Sequence, residues 1–247
     1  ILERYHLPTL TTALVWVHSP KKEEHAKSAR KRFAFEEVFY IQVQKALERE
    51  AVSAASTYTI AASDEHVQAF TDRFSFPLTG AQERAIATIL RDFSGSHAMS
   101  RLLEGDVGSG KTAVAATTAY AVATSYAHLG VKPLSRRKGT VVSPTDFGNL
   151  QVAYMAPTEI LARQHFESFI EYFQHLPIAI GLITGSGCMK FPSKSDPTKP
   201  TKISKAQLTK WVQNGEIHIL IGTHALIYKS VEFKHLAYVI IDEQHRF

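Results

Sequence analysis

Apolar residues along this chain fall into two alternating patterns. Short continuous runs occur at 151–156, 178–183, 217–221 and 236–241, each bounded by Gly, Pro, Thr or Asp. Runs of this length, rich in Val and Ile, predict strands buried on both faces. Between them, 160–173 and 205–213 carry apolar residues at helical spacing, and 81–93 does the same upstream. Alternation of strand and helix predicts an α/β fold with a parallel sheet, its loops gathered on the carboxyl edge of the strands. Leu102 and Leu103 form a further short apolar run, followed by a helix from Thr112 made largely of Ala, Val and Thr. That run is expected to be the strand that opens the fold.

The amino-terminal third reads differently. Residues 21–52 lack Gly and Pro and are rich in Ala, Glu, Lys and Leu, which predicts helix, with a joint near 30–35. The expected division is 1–19 as the end of a preceding element, 20–73 as a helical connector and 74–247 as an α/β lobe. Two segments, 132–150 and 188–202, look inserted and are expected to be surface loops. The chain begins at Ile1 and ends at Phe247, which leads us to expect a piece of a longer protein.

Composition is that of an ordinary globular protein: 45% hydrophobic and 21% charged residues among 247. A formal net charge of +5 fits an anionic partner without specifying nucleic acid. Its one cysteine, Cys188, excludes an internal disulfide and a cysteine-based zinc cluster. No apolar run approaches the ~18 residues needed to span a bilayer, so no membrane partner is expected.

The chemistry is concentrated in two places. Gly105-Asp106-Val107-Gly108-Ser109-Gly110-Lys111-Thr112 satisfies G-x-x-x-x-G-K-[ST], the phosphate-binding P-loop. Its glycines let backbone N–H groups converge on phosphate oxygens, Lys111 reaches the β- and γ-phosphates, and the Thr112 hydroxyl is a magnesium ligand. The second place is Asp242-Glu243, at the end of a strand. A carboxylate there needs a partner such as Mg²⁺ for Asp242, while Glu243 is placed to polarise an attacking water. Gln82, in the first turn of the helix that Thr79 caps, has an amide able to read the edge of adenine, with Phe76 or Phe74 as a stacking neighbour.

Five segments in one order, Leu-Thr-Gly-Ala-Gln82, Gly-Asp-Val-Gly-Ser-Gly-Lys-Thr112, Ala-Pro-Thr-Glu-Ile-Leu-Ala-Arg-Gln-His165, Gly-Thr-His-Ala-Leu226 and Asp-Glu-Gln-His-Arg-Phe247, resemble the motor of the RecG-type, superfamily-two DNA helicases. The resemblance runs from about Val15 to the end. It implies a RecA-like P-loop lobe with a parallel sheet, preceded by a helical connector, and an ATP-dependent helicase that translocates on branched or forked DNA. By the same resemblance ATP and Mg²⁺ are the cofactors, Gln82 reads adenine, Lys111, Asp242 and Glu243 serve hydrolysis, and Thr112 and Asp242 hold the metal. Pro157, Thr158, Glu159, Arg163, Gln164, Thr184, Gly185, Thr223 and His224 follow a DNA strand without reading bases, and Gln244 and His245 couple the two sites. Further partners implied are a second motor lobe and a wedge domain of the same protein, which would act as a cytoplasmic, nucleoid-associated bacterial monomer in DNA repair and recombination. Two other readings stay open: a nucleotide-binding nucleic-acid scaffold without turnover, and an RNA helicase lobe.

Overall fold

The computed structural model describes residues 2–53, 57–60, 62–95, 97–125, 148–227 and 231–246. They form two compact units, 1–56 and 57–247.

In the first unit, α1 (Leu10–His18) packs on α2 (Glu23–Ser53). Thr9 caps α1 by accepting from the Thr12 N–H. The helices approach through small residues, with Ala13 and Ala29 fully buried, and the Trp16 ring stacks on His25 at 4.1 Å between centroids. Helix α2 runs unbroken through the joint expected at 30–35. Arg32 and Glu36, one turn apart, form a 2.9 Å ion pair across that stretch, and nothing in it breaks the helix.

The second unit holds α3 (Asp64–Thr71), α4 (Gly80–Phe93), α5 (Lys111–Ala123), α6 (Glu159–Phe173) and α7 (Lys205–Gln213) around a six-stranded sheet. Its strands are β1 (Gln151–Met155), β2 (Ile180–Thr184), β3 (Gly187–Phe191), β4 (Thr201–Ile203), β5 (Ile219–Gly222) and β6 (Leu236–Ile241), in the order β4-β3-β2-β5-β1-β6. The run β2-β5-β1-β6 is parallel, as the alternating pattern predicted. The division at 56/57 falls earlier than the boundary expected at 73/74. Phe70 of α3 explains this: it is 1% exposed, stacks on Tyr120 of α5 at 4.3 Å and touches Phe173 of α6, so α3 belongs to the α/β core.

Helix α5 is apolar almost all round and correspondingly buried from Ala113 to Ala123, apart from Tyr120. Thr117 and Thr118 lie in this core because their hydroxyls donate back to the carbonyls of Ala113 and Val114. Gln151 is fully buried with its amide satisfied four times: Nε2 donates to the Val212 and Ile217 carbonyls, and Oε1 accepts from the backbone N–H groups of Lys234 and His235.

Two expectations about strands are corrected. Residues 188–202 are not simply a loop: β3 and β4 pair antiparallel and extend the sheet, because Cys188 and Phe191 have core positions to fill. Conversely, Leu102 and Leu103 form no strand. The sheet ends at β6, and a cavity of about 1290 Å³ separates that edge from the extended segment around 100–105, which leaves the segment's backbone without a ladder partner. Leu102 is accordingly 68% exposed. Of the other inserted segment, 132–147 lies outside the described residues. The N–H groups of Asn149 and Leu150 both donate to the Ser125 carbonyl, which joins the two ends of that excursion.

Candidate nucleotide site and strand-end rim

The loop before α5 turns through two left-handed glycines, Gly108 at φ +80° and Gly110 at φ +78°, the second being the residue that caps α5. With no side chain blocking the helix start, the first N–H groups of α5 and their dipole face the loop. The Lys111 ammonium donates to the carbonyls of Gly105, at 2.6 Å, and Asp106, at 2.9 Å. The Ser109 N–H closes the turn on the Asp106 carbonyl, and Val107 at the tip is fully exposed.

Gln82 braces this loop. Its Oε1 accepts from the Thr79 N–H at 2.7 Å while the Thr79 hydroxyl accepts from the Gln82 N–H, a capping box on α4. Its Nε2 donates to the Ser109 carbonyl at 2.9 Å. Beside it lies a cavity of about 470 Å³ lined by Phe76, Pro77, Gln82, the loop from Gly108 to Thr112, and Tyr172. Phe76 thus borders the space, whereas Phe74 packs on Phe70 and Tyr172.

The acidic pair faces the larger cavity, which Gly105, Lys111, Tyr154, Asp242 and Glu243 line together. Strand β6 delivers Asp242, whose N–H donates to the Met155 carbonyl at 2.8 Å and so prolongs the β1–β6 ladder by one residue. Its carboxylate accepts from His165 Nε2 at 2.8 Å. The His165 ring lies 4.7 Å from that of Tyr154, whose phenol is held far above its usual range by burial first and then by the charges of Asp242 and Tyr238. Glu243 takes a left-handed backbone, φ +51°, where a glutamate is strained by about 1–2 kcal/mol. Its carboxylate lies 3.4 Å from His245 Nδ1, and Gln244–Arg246 follow as a 3-10 turn.

The donor set suits magnesium. Among the described residues no group of three or more His, Cys, Asp or Glu side chains gathers to hold an ion. One carboxylate, Asp242, and one hydroxyl, Thr112, stand near a phosphate-binding loop, and Mg²⁺ is typically bound by one or two carboxylates with substrate phosphates and water supplying the rest.

The remaining residues lie along the strand ends. Thr158 caps α6 by accepting from the Leu161 N–H, and Pro157 precedes it, half-buried. The Glu159 carboxylate accepts from the Ser186 N–H at 3.1 Å, and Arg163 donates to the Ser186 hydroxyl at 2.9 Å. These contacts, the Ser186 side chain foremost, hold the Glu159 carboxyl below its ordinary range. Gly185 and Ser186 are exposed at the tip of the β2–β3 turn, and Gln164 and His224 are exposed as well. Thr184 and Thr223 are buried; the Thr184 hydroxyl donates to the Gly187 carbonyl at 3.0 Å and lies 3.1 Å from the Ser186 hydroxyl, within the β2–β3 turn.

Comparison with known proteins matches residues 79–247 to the DEAD/DEAH box helicase family, and the chain belongs to it. Among curated relatives it is similar to the ATP-dependent DNA helicase RecG of Aquifex aeolicus, 36% identical over 100% of this chain and 27% of the relative. It is likewise similar to RecG of Bacillus subtilis, 38% identical over 98% of this chain and 30% of the relative. A solved structure of RecG bound to a three-way DNA junction superposes with a TM-score of 0.70 at 33% identity, over 100% of this chain and 29% of that one. The chain spans between 26% and 31% of the length of these and similar curated relatives.

Three contributors escaped the reading of the sequence: His165, Tyr154 and Ser186. His165 carried a signal, since it shares the apolar face of α6 with Ala162, Phe166, Phe169 and Phe173, where an ionisable group needs a partner. Ser186 carried none.

Proposed function

We propose that this chain is the ATP-binding first motor lobe, with its preceding helices, of an ATP-dependent helicase that moves on branched or forked DNA. The observation that carries the reading is the meeting of Lys111 with Asp242 and Glu243 around one cavity, Lys111 also bordering the smaller cavity beside Gln82. In this reading the smaller cavity receives the adenine, with Phe76 at its face and Gln82 at its edge. The loop amides from Gly105 to Gly110 cradle the phosphates, and the Lys111 ammonium exchanges two backbone carbonyls for phosphate oxygens. Thr112 and Asp242 would hold Mg²⁺, which would supply charge neutralisation at the phosphates. Glu243 orients the attacking water and accepts its proton. The helix terminus at Thr158, the Ser186 turn, Arg163 and His224 offer phosphate contacts without base recognition, as a translocating motor requires. Gln244 and His245 connect this rim to the nucleotide. The protein acts as a monomer in the bacterial cytoplasm, its DNA preference set with parts outside this chain; no described helix is long and apolar enough to cross a membrane.

Phosphoryl transfer also needs charge stabilisation at the γ-phosphate, commonly from an arginine worth about 10³–10⁵ in rate. In helicases of this kind a second lobe supplies it. Residues 1–247 alone are expected to bind ATP, hydrolyse it very slowly and separate no strands, while a chain extended by the second lobe recovers turnover that forked DNA stimulates. Steady-state phosphate release with and without forked DNA tests this, and robust DNA-stimulated turnover by residues 1–247 refutes the division of labour. A nucleotide-binding scaffold predicts no turnover even in the longer chain; equal stimulation by forked RNA would favour the RNA reading.

A further inference from the structure

We infer that His165 is a positioning residue for the metal carboxylate: its imidazole fixes the Asp242 side chain in the orientation that binds Mg²⁺–nucleotide. The inference rests on the proposed role of Asp242 and adds a residue to that site.

The geometry is specific. His165, the seventh residue of α6, closes its second turn with its side chain 12% exposed, and Nε2 lies 2.8 Å from Asp242 Oδ2. A carboxylate offers only acceptors, so the Nε2–H donates. The ring is held from the side by Tyr154 of β1, which sits 3% exposed and pairs with Ile240 across the β1–β6 ladder. Asp242 is therefore fixed twice, by its own N–H on Met155 and by its carboxylate on His165. With Oδ2 held by the histidine the carboxylate plane is fixed, while its remaining lone pairs stay available to a metal or its water. An aspartate with both oxygens unconstrained would have to give up rotamer freedom on binding, and a donor to one oxygen removes that cost beforehand. Helix α6 gains a second role. Two turns of it join the contacts of Glu159 and Arg163 with the Ser186 turn to the Asp242 carboxylate.

The measurement is the affinity of residues 1–247 for a fluorescent mant-ATP, in saturating Mg²⁺ and in EDTA, for the parent, His165→Phe and His165→Gln. Phenylalanine keeps an aromatic ring against Tyr154 and removes the donor; glutamine places an amide N–H near the position of Nε2. Partners that orient metal ligands are typically worth about 10–100-fold in metal affinity. The ratio of affinity in Mg²⁺ to affinity in EDTA should accordingly fall about 10-fold or more in His165→Phe, with the EDTA value unchanged, and return toward the parent in His165→Gln. A purely structural role would lower both affinities together and leave the ratio alone. That result, or a His165→Phe ratio equal to the parent's, overturns the inference. A parent ratio near one would instead remove the metal from Asp242, and the inference with it. No nucleotide binding by the parent at all would count against the proposed function itself.

Discussion

Gly110→Ala and Gly108→Ala form a matched pair that tests how the phosphate loop is held. Both glycines have φ near +80°, so an added Cβ costs each of them the left-handed penalty of about 1–2 kcal/mol. Their surroundings differ. A Cβ at 108 meets nothing within 4 Å, whereas one at 110 falls on Nε2 of Gln82. Gln82 must then leave, and with it go the bond to the Ser109 carbonyl and the bond from Thr79 that completes the α4 cap. At about 0.5–1.5 kcal/mol per hydrogen bond, Gly110→Ala should cost about 1–3 kcal/mol more than Gly108→Ala. For a unit of this size each kcal/mol lowers the melting temperature by about 2–4 °C. Thermal unfolding followed by circular dichroism reads both variants, alone and combined with Gln82→Ala. In the Gln82→Ala background the two glycine substitutions should cost the same, because the side chain that distinguished them is gone. Equal costs in the parent background would refute the bracing role of Gln82. So would a difference that persists without it.

Three further outcomes are expected. Phe70→Ala should lose about 3–5 kcal/mol, since a buried ring stacked between α5 and α6 leaves a cavity, and a chain beginning at residue 74 should melt well below one beginning at Thr57. Arg163→Ala should weaken binding to DNA of any sequence, with affinity falling steeply in salt for parent and variant alike; an effect confined to one sequence would contradict a backbone track. Because the Glu159 carboxyl is held below its ordinary range, its bonds to the Ser186 turn persist above that range and are lost as pH falls through the lowered value. The Ser186 amide resonance should therefore move only in acid below the usual glutamate midpoint, and should not move in Glu159→Gln.

Much of this protein is local, and what is local was legible. The phosphate loop depends on which residues tolerate φ near +80° and which follow them, so Gly108, Gly110 and the start of α5 were fixed by sequence alone. The cap at Thr79, and the four parallel strands with their loops on one rim, likewise follow from residue type and spacing. Tertiary structure decided the rest, through contacts between residues far apart in the chain. Leu102 and Leu103 have strand-forming side chains, yet a strand exists only beside a partner, and a cavity lies where the partner would be. The β3–β4 pair formed in a segment rich in Lys and Pro because two of its side chains had core positions to fill. Gln82 became a brace, Thr184 and Thr223 were buried, and His165 met a carboxylate 77 residues away. Sequence spacing specifies which face of a helix or strand a residue occupies; what stands opposite that face is set by how the elements pack.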